Sequence, residues 1–173
     1  MNIVLIDGSN VIRHNTGPDA HERPYLMHGL LGVLKILSRQ KASIEVYLDR
    51  GLMWKNLRQK DPPPTMSELC EQYNDKRSLH LFKQICQHPA VRIANDGRPA
   101  DCVILDREEV LLQEGKDAVI LSNDGYLKYT FCYPCLANPL YGAGSNILAP
   151  FSLANWTFSC PRLNISPTHF WRK

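Results

Sequence analysis

Four aspartates lie where short apolar runs of the sequence end or where the next helix begins: Asp7, Asp49, Asp101 and Asp124. If those runs are neighbouring strands, the four carboxylates gather at one edge of a sheet. Carboxylates in a shared cleft repel one another and lose hydration, so such a cluster needs a cation to stabilise it. A hard divalent ion such as Mg²⁺ or Mn²⁺ suits it, because these ions prefer oxygen ligands and keep several waters. The pattern therefore favours metal-assisted hydrolysis of a phosphodiester.

Aspartate is also common at these places for a structural reason. Its carboxylate caps helix N-termini and closes turns at strand ends by accepting backbone hydrogen bonds. For any single aspartate of the four this structural role is the favoured interpretation, whereas the recurrence of the pattern favours a shared site. Asp106 lies five residues after Asp101 and so points about 140° away from it on a helix, which leaves it out of the site.

The elements that must position these acids follow from hydrophobic periodicity. Short β-branched or aliphatic runs predict four core strands, Ile3 to Ile6, Ile44 to Leu48, Val91 to Ala94 and Ala118 to Leu121. Apolar residues at helical spacing predict helices over Tyr25 to Gln40, from Met66 to Cys86 after a triple-proline breaker, and from Val103 to Leu111 with a stop at Gly115. Strands that alternate with helices predict a parallel sheet covered on both faces. The expected fold class is α/β, a Rossmann-like three-layer domain with a central parallel sheet.

The chain of 173 residues is long enough for one domain of ordinary size. Beyond Cys132 the periodicity weakens and prolines and glycines punctuate short apolar pieces. We predict one late strand near Asn146 to Leu148 and an irregular tail after it. The main domain is expected over residues 1–150, with residues 151–173 packed on it or extending it.

Composition excludes several classes of protein. Hydrophobic residues make up 44% and charged residues 21%, which is typical of a globular chain. The net charge of +3 is too small to require a polyanion partner. No apolar run approaches the roughly 20 residues that span a bilayer, and the N-terminus lacks the pattern of a signal peptide. We therefore expect a cytoplasmic protein that does not enter a membrane.

Six cysteines in a protein of that kind are expected to be free thiols. Cys132 and Cys135 have the spacing of half a zinc site, and Cys160 with His169 would complete it on paper. A second close pair is missing, so free thiols remain the favoured interpretation.

Three segments resemble the motifs of one nuclease family. Ile6-Asp7-Gly8-Ser9-Asn10-Val11 resembles the opening motif of the PIN-like and NYN ribonucleases, most closely their Regnase-type branch. Ala100-Asp101-Cys102-Val103 resembles the segment that opens a helix with a metal-binding aspartate, and Leu121-Ser122-Asn123-Asp124 resembles the post-strand Ser-x-Asp motif. The motifs occur in the family's order and cover about residues 1–150. The resemblance implies a PIN-like fold and endoribonuclease activity.

Carried over residue by residue, the resemblance implies that Asp7, Asp101 and Asp124 hold Mg²⁺ or Mn²⁺, directly or through water. It implies that Asn10 orients Asp7 or binds phosphate, and that Ser122 donates a hydrogen bond to the cluster beside the bound substrate.

The chain departs from the family pattern at three positions. Ala100 stands where Regnase-like proteins place a second acid, and Tyr126 and Lys128 stand where relatives often place a further one. The missing acids put a strong second metal site in doubt. Asp49 supplies part of that charge, unless Arg50 beside it neutralises it.

Cations and an aromatic residue follow the second strand, at the same edge of the predicted sheet as the acids. Arg50, Lys55 and Arg58, with Trp54 and Lys60, are suited to phosphate contacts and base stacking on a single strand of RNA. A solvated helix face is the alternative. Lys128, Arg98 and Arg13 are further candidates for phosphate binding because they lie close to the motifs in the sequence.

The sequence thus predicts a metal-dependent endoribonuclease acting on single-stranded RNA, with a homodimer or an inhibitory protein as possible partners. It would use activated water, because no Cys-His or Ser-His-Asp arrangement is evident at the strand ends. The alternative is a catalytically inactive RNA-binding or protein-interaction module with the same fold. A haloacid-dehalogenase type phosphatase is disfavoured, because Ser9 stands where its second aspartate is required.

Overall fold

The computed structural model describes residues 3–14, 26–55, 60–94, 98–129, 132–133, 147–154 and 156–170. Five strands form the main sheet: β1 (Ile3–Asp7), β2 (Ser43–Leu48), β3 (Val91–Ile93), β4 (Ala118–Leu121) and β5 (Leu148–Ala149). Five α-helices accompany them: α1 (Gly8–His14), α2 (Leu26–Arg39), α3 (Met66–Gln72), α4 (Lys76–Ile85) and α5 (Ala100–Gln113).

The main sheet is entirely parallel, in the order β3-β2-β1-β4-β5. Side chains of the central strand alternate between its two faces, as strand geometry requires. Val4 and Ile6 lie in the core shared with α1 to α4, whereas Leu5 lies in a second core shared with α5. The predicted α/β architecture, with a central parallel sheet flanked by helices on both faces, is confirmed.

The strand order reverses between β1 and β4. The chain leaving β1 proceeds through α1 and α2 to β2 on one side, and the chain leaving β4 proceeds to β5 on the other. Open parallel sheets bind ligands in the crevice that such a reversal leaves at the carboxyl ends of the strands. Asp7 ends β1, and Ser122 directly follows β4. The first and third motifs therefore meet at this crevice.

Helix α1 was not predicted, because Gly8-Ser9-Asn10 is also a typical turn sequence. It begins immediately after β1 and buries Val11 and Ile12. A Cβ atom at Gly8 would lie 2.8 Å from side-chain carbons of Val46 and Leu48. Glycine is required here because the start of the helix passes against β2.

The predicted helix from Met66 to Cys86 is two helices. α3 ends before Asn74, whose φ of 51° is left-handed, and the Asp75 carboxylate caps α4 by accepting the Ser78 N–H at 3.0 Å. An Asn-Asp pair is typical of such a break, since asparagine tolerates this backbone conformation and aspartate is a strong N-cap.

The expectation of an irregular tail is wrong. β6 (Ser152–Ala154), β7 (Thr157–Cys160) and β8 (Ile165–His169) form an antiparallel sheet. Phe158, Cys160 and Ile165 are buried in the same core as α2. The late strand is present at Leu148–Ala149, and Asn146 lies outside the described residues. β7 alternates half-buried and buried positions, whereas β8 buries only Ile165, so these short strands carry little apolar pattern between the prolines and glycines.

None of the helices in the described ranges combines the length and the hydrophobicity that a bilayer-spanning helix needs.

Candidate active site

Asp7 is a buried carboxylate at the crevice between β1 and β4, with 3% of its surface exposed. Its Oδ1 accepts the Asn10 backbone N–H at 2.9 Å. Its Oδ2 accepts the hydroxyls of Ser122 at 3.0 Å and Tyr126 at 3.1 Å. These donors come from α1 and from the loop after β4, so both sides of the crevice orient one side chain.

The charge of Asp7 is only partly compensated. The pKa of Asp7 is raised to about 6, mainly by burial and also by the charges of Asp101 and Asp49, against the lowering effect of hydrogen bonds from Asn10 and Ser122. None of the ion pairs among the described residues includes Asp7. A cation in the crevice would therefore stabilise the ionised form of this carboxylate.

Asp101 lies in the first turn of α5, with 13% of its side chain exposed. Its Oδ2 accepts the Tyr129 hydroxyl at 3.1 Å and lies 3.1 Å from Lys128 Nζ. Both partners belong to a 3₁₀ turn, Leu127–Tyr129, that follows β4. Lys128 thus supplies a positive charge to the acid at the start of α5.

Asp124 is exposed, and its Oδ1 accepts the Tyr126 N–H at 3.0 Å. Its own N–H donates to Ser122 Oγ at 3.1 Å. Its charge reaches Lys128: burial lowers the pKa of that lysine, but Asp101 and the charges of Asp124 and Asp49 outweigh burial and raise it. The charges of Asp101 and Asp124 therefore both act on Lys128.

Asp49 has the structural role that the alternative interpretation gave to strand-end acids. Its Oδ1 accepts the Ala100 N–H at 2.9 Å, at the start of α5, and its own N–H donates to Ser9 Oγ at 2.7 Å. Its Oδ2 lies 3.6 Å from Nη1 of Arg13. The cation beside it in space is therefore Arg13 rather than its sequence neighbour Arg50.

Asp7, Asp101 and Asp124 lie at one edge of the sheet, but their side chains are not closely grouped. Among the residues that the structure describes, no three acidic, histidine or cysteine side chains come close enough to form a metal-binding group. The three-aspartate metal site of Asp7, Asp101 and Asp124 remains a prediction. Asp7 is buried, and the neighbouring acids Asp101, Asp124 and Asp49 already accept hydrogen bonds from other groups of the protein.

Asn10 and Ser122 link the two sides of the crevice by hydrogen bonds. The Asn10 side-chain oxygen accepts the Asn123 N–H at 3.0 Å, and the Asn123 side chain accepts the Phe151 N–H at 2.8 Å. Asn10 therefore orients Asp7 through its backbone and fixes the loop after β4 through its side chain. Ser122 is buried and donates to Asp7, which is the hydrogen bond that the resemblance implied.

Three tyrosines that sequence reasoning missed each donate a hydrogen bond to one aspartate. Tyr126, Tyr129 and Tyr133 donate to Asp7, Asp101 and Asp106 at 3.1, 3.1 and 2.7 Å. Neighbouring rings of the three lie 6.3 Å apart between centroids. Their spacing of three and four residues, directly after the third motif, is the signal that would have found them.

Tyr126 is the most constrained of the three. It is fully buried, and its φ of 51° lies in the left-handed region. Burial, reinforced by the charge of Asp7, raises the pKa of its hydroxyl, which therefore stays protonated and donates. Tyr126 is thus a neutral donor to Asp7.

The predicted substrate-binding cations differ in their engagement. The Arg50 guanidinium carbon lies 5.4 Å from the ring centroid of Trp54, and Trp54 is 53% exposed. Lys55 is in an ion pair with Glu68 at 2.7 Å. Lys60 is exposed, whereas Arg58 lies outside the described residues. Arg50 and Trp54 together present a cation and an aromatic face after β2, at the same edge of the sheet as the strand-end acids.

The structure describes residues of two further sequence hypotheses, phosphate binding by Arg98 and a zinc site at the cysteines. Arg98 pairs with Asp106 at 2.6 Å, which accounts for that acid outside the cluster. Cys132 and Cys160 are free thiols, and His169 lies 3.3 Å from Thr157 Oγ1. Cys135 lies outside the described residues. The five described cysteines are all free, as expected.

A comparison with protein-family models finds no match to this chain, and a comparison with curated proteins finds no similar sequence. The family resemblance therefore rests on the three motifs, and its functional content is a proposal.

Proposed function

We propose that this chain is a PIN-like, metal-dependent endoribonuclease that hydrolyses single-stranded RNA at the crevice between β1 and β4. The observation that carries the proposal is Asp7: a buried carboxylate at the reversal of strand order, with other acids nearby and no ion-pair partner among the described residues. Keeping such a carboxylate ionised lowers the stability of the folded chain, and buried ionisable groups of this kind are typical of functional sites.

The carboxylates at the crevice have the chemistry to bind one hard divalent ion, although the described side chains form no ready-made metal-binding group. The available ligands are carboxylate oxygens, which Mg²⁺ and Mn²⁺ prefer, and water can complete the coordination. Asp7 Oδ1 has a single donor among the described residues, and a carboxylate oxygen can accept from two directions. Asp7 and Asp101, with Asp124 directly or through water, are the residues that would hold the ion. When bound, the ion would supply an activated water and charge neutralisation at the phosphate.

Side chains of the protein itself would orient the Asp7 carboxylate and bind the substrate. Ser122 and Tyr126 fix the direction of the Asp7 carboxylate, which spares it reorganisation when the substrate binds. Arg50 can bind a phosphate, and the exposed face of Trp54 can stack an unpaired base. Single-stranded RNA presents both groups at once, whereas a duplex hides its base faces.

The test compares the wild type with Asp7→Asn and with Asp7→Asn/Asp124→Asn on fluorogenic single-stranded RNA in Mn²⁺ and in Mg²⁺. We expect cleavage by the wild type and a loss of at least about 100-fold in both variants. Equal cleavage by all three preparations would indicate a contaminating nuclease and contradict the proposal. Circular dichroism of each variant verifies its fold.

A second candidate is a non-catalytic RNA-binding module. The observation that favours it is Lys128, which already neutralises Asp101. This candidate predicts RNA binding that a chelator leaves unchanged, together with no cleavage in either metal. RNA affinity measured by fluorescence anisotropy, with and without chelator, distinguishes it from the nuclease.

A further inference from the structure

The cations of the described structure differ between the two faces of the main sheet. On or beside α5, which covers one face, the cations form ion pairs: Arg98 with Asp106, Arg107 with Glu45, and Lys116 with Glu114. Helices α2 and α4, which cover the other face, contain no acidic residue. Among the described residues, no ion pair includes the cations Lys35, Arg39, Lys76 or Lys83 of these two helices. The net charge of +3 is therefore unevenly distributed over the molecule.

Helices α2 and α4 are neighbours that begin side by side. The Leu26 N–H at the start of α2 donates to Oδ2 of Asp75, the residue that caps α4, at 2.8 Å. Because α2 leads into β2 and α4 into β3, and these strands are parallel, the two helices run in the same direction. At a rise of about 1.5 Å per residue, Lys35 and Lys83 lie about 13 and 10 Å from the starts of their helices. The two lysines are therefore at similar levels on adjacent helices.

Five exposed side chains form what we call the α2–α4 face: Lys35, Arg39, Lys76, His80 and Lys83. Residues three or four apart share one side of a helix, so the first two lie together on α2 and the other three lie together on α4. Successive members are about 5 to 6 Å apart along each helix axis. The α2–α4 face therefore presents two short rows of basic side chains.

The acids of adjoining elements leave much of this charge uncompensated. Asp75 is buried and caps α4. On α3, which packs against α4, Glu68 is already paired with Lys55, and Glu71 is the exposed acid of that helix. Strand β7 packs against α2, and the sequence contains no acidic residue after Asp124. An anion from outside the chain would compensate the remaining charge.

The chemistry of the α2–α4 face favours a phosphate polymer as that anion. A lysine is a point charge that binds phosphate without fixed geometry. Within the described part of the chain, the exposed large apolar side chains are Trp54 and Val110, which belong to neither helix. A helix that lies on a membrane inserts an apolar face, and protein interfaces are enriched in aromatic residues and depleted in lysine. Nucleic acids, by contrast, are bound largely through lysine and arginine contacts to phosphate.

We propose that the α2–α4 face binds the phosphate backbone of a nucleic acid, outside the crevice and without reading its sequence. The inference goes beyond the proposed function, because it does not require the crevice to hold a metal ion or to cleave RNA. Each of the two helices runs back from the carboxyl end of one strand to the start of the next, so both begin near the edge of the sheet where the crevice lies. An RNA strand in the crevice can therefore continue along the α2–α4 face.

Fluorescence anisotropy with a labelled polyuridine strand, at several salt concentrations and with chelator present, tests the proposal. Each phosphate that a protein neutralises on a single strand contributes about 0.7 to the slope of log affinity against log salt. We expect Lys35→Gln and Lys83→Gln each to reduce the magnitude of this slope by about 0.7, and the double variant to reduce it by about 1.4. Each single variant should also bind at least about threefold more weakly at low salt.

Lys116→Gln is the matched control. Lys116 is an exposed lysine that pairs with Glu114, and it lies between α5 and β4 rather than on the α2–α4 face. Its removal lowers the net charge by the same amount as Lys83→Gln, but it should leave the slope and the affinity at the wild-type values. Equal losses in Lys116→Gln and Lys83→Gln would show a general effect of net charge and overturn the proposal. A folded wild type that does not bind polyuridine would overturn it as well.

Sedimentation with vesicles that contain phosphatidylserine tests the membrane alternative. We expect the wild type and Lys35→Gln/Lys83→Gln to sediment equally little with these vesicles. Vesicle binding that the double variant loses, combined with unchanged polyuridine binding by that variant, would assign the face to a membrane and overturn the proposal. Loss of RNA cleavage alone, with the salt dependence as expected, would overturn the proposed function and support this inference.

Discussion

Replacing Asp7 by asparagine should make the folded chain more stable at neutral pH. The ordinary carboxyl pKa is 3.8 and burial raises that of Asp7 to about 6. Between these pH values the folded chain binds more protons than the unfolded chain, so its stability falls as pH rises. A difference of about two pKa units corresponds to a penalty of about 3 kcal/mol, fully present above pH 6. Asparagine carries no charge and avoids it.

The hydrogen bonds around Asp7 can adapt to the amide. The asparagine oxygen can accept the Asn10 N–H, and the hydroxyls of Ser122 and Tyr126 can turn to accept from the amide nitrogen. The lost charge-assisted bonds offset part of the gain. We therefore expect Asp7→Asn to be more stable by about 1 to 3 kcal/mol at pH 7.5, with the difference falling below about 1 kcal/mol at pH 4.

Urea denaturation with chelator present measures this difference at pH 7.5 and at pH 4. Asp61→Asn, at an exposed carboxylate, is the control and should behave like the wild type at both pH values. Adding Mn²⁺ should then stabilise the wild type more than Asp7→Asn, because only the wild type has the carboxylate that is proposed to hold the ion. The reasoning is refuted if Asp7→Asn is less stable at pH 7.5, or if its advantage is the same at both pH values.

Three further substitutions test the structure around the site. Glu108 is buried with both carboxylate oxygens unpartnered in the described structure, and burial is the main cause of a pKa raised to about 7. Glu108→Gln should therefore raise stability by at least about 1 kcal/mol at pH 8 and by little at pH 5 in thermal melts; a pH-independent difference would contradict this. Gly32→Ala should cost about 1 to 3 kcal/mol, because its Cβ would clash with the Phe170 ring, and an unchanged urea midpoint would show that Phe170 does not pack on α2 in solution. Asp75→Ala should cost about 2 to 4 kcal/mol, because the buried Asp75 carboxylate caps α4 through Ser78; a loss below 1 kcal/mol in the same assay would refute that role.

The sequence predicted those features of the fold whose residue pattern is set within a single strand or helix. Periodicity located the first four strands, α2 and α5, because each buries one face and so repeats apolar residues at the period of its backbone. It also placed acids at strand ends, since strands that run parallel finish at the same edge. Asp7 and Asp101 lie there as expected.

What the sequence could not predict depends on contacts between distant segments. The sequence predicts that Asp49 adds charge to the acidic cluster, but its carboxylate accepts the Ala100 N–H at the start of α5 and pairs with Arg13. Predicting these contacts requires knowing how three distant segments meet. The approach of Lys128 to Asp101 depends on a short 3₁₀ turn that has no hydrophobic period. Hydrophobic periodicity does not predict such partners, because tertiary packing determines them and the local spacing of residues does not.

The central claim is that a divalent ion held at Asp7 cuts RNA, and removal and return of the metal in one preparation tests it most directly. The wild-type chain is freed of metal with chelator, incubated with end-labelled single-stranded RNA, and then supplied with Mn²⁺ in excess over the chelator. The account predicts no cleavage before the addition, cleavage within the chain after it, and no cleavage at either stage by Asp7→Asn. Cleavage that persists in chelator, or a folded wild type that never cuts after Mn²⁺ is returned, would contradict it.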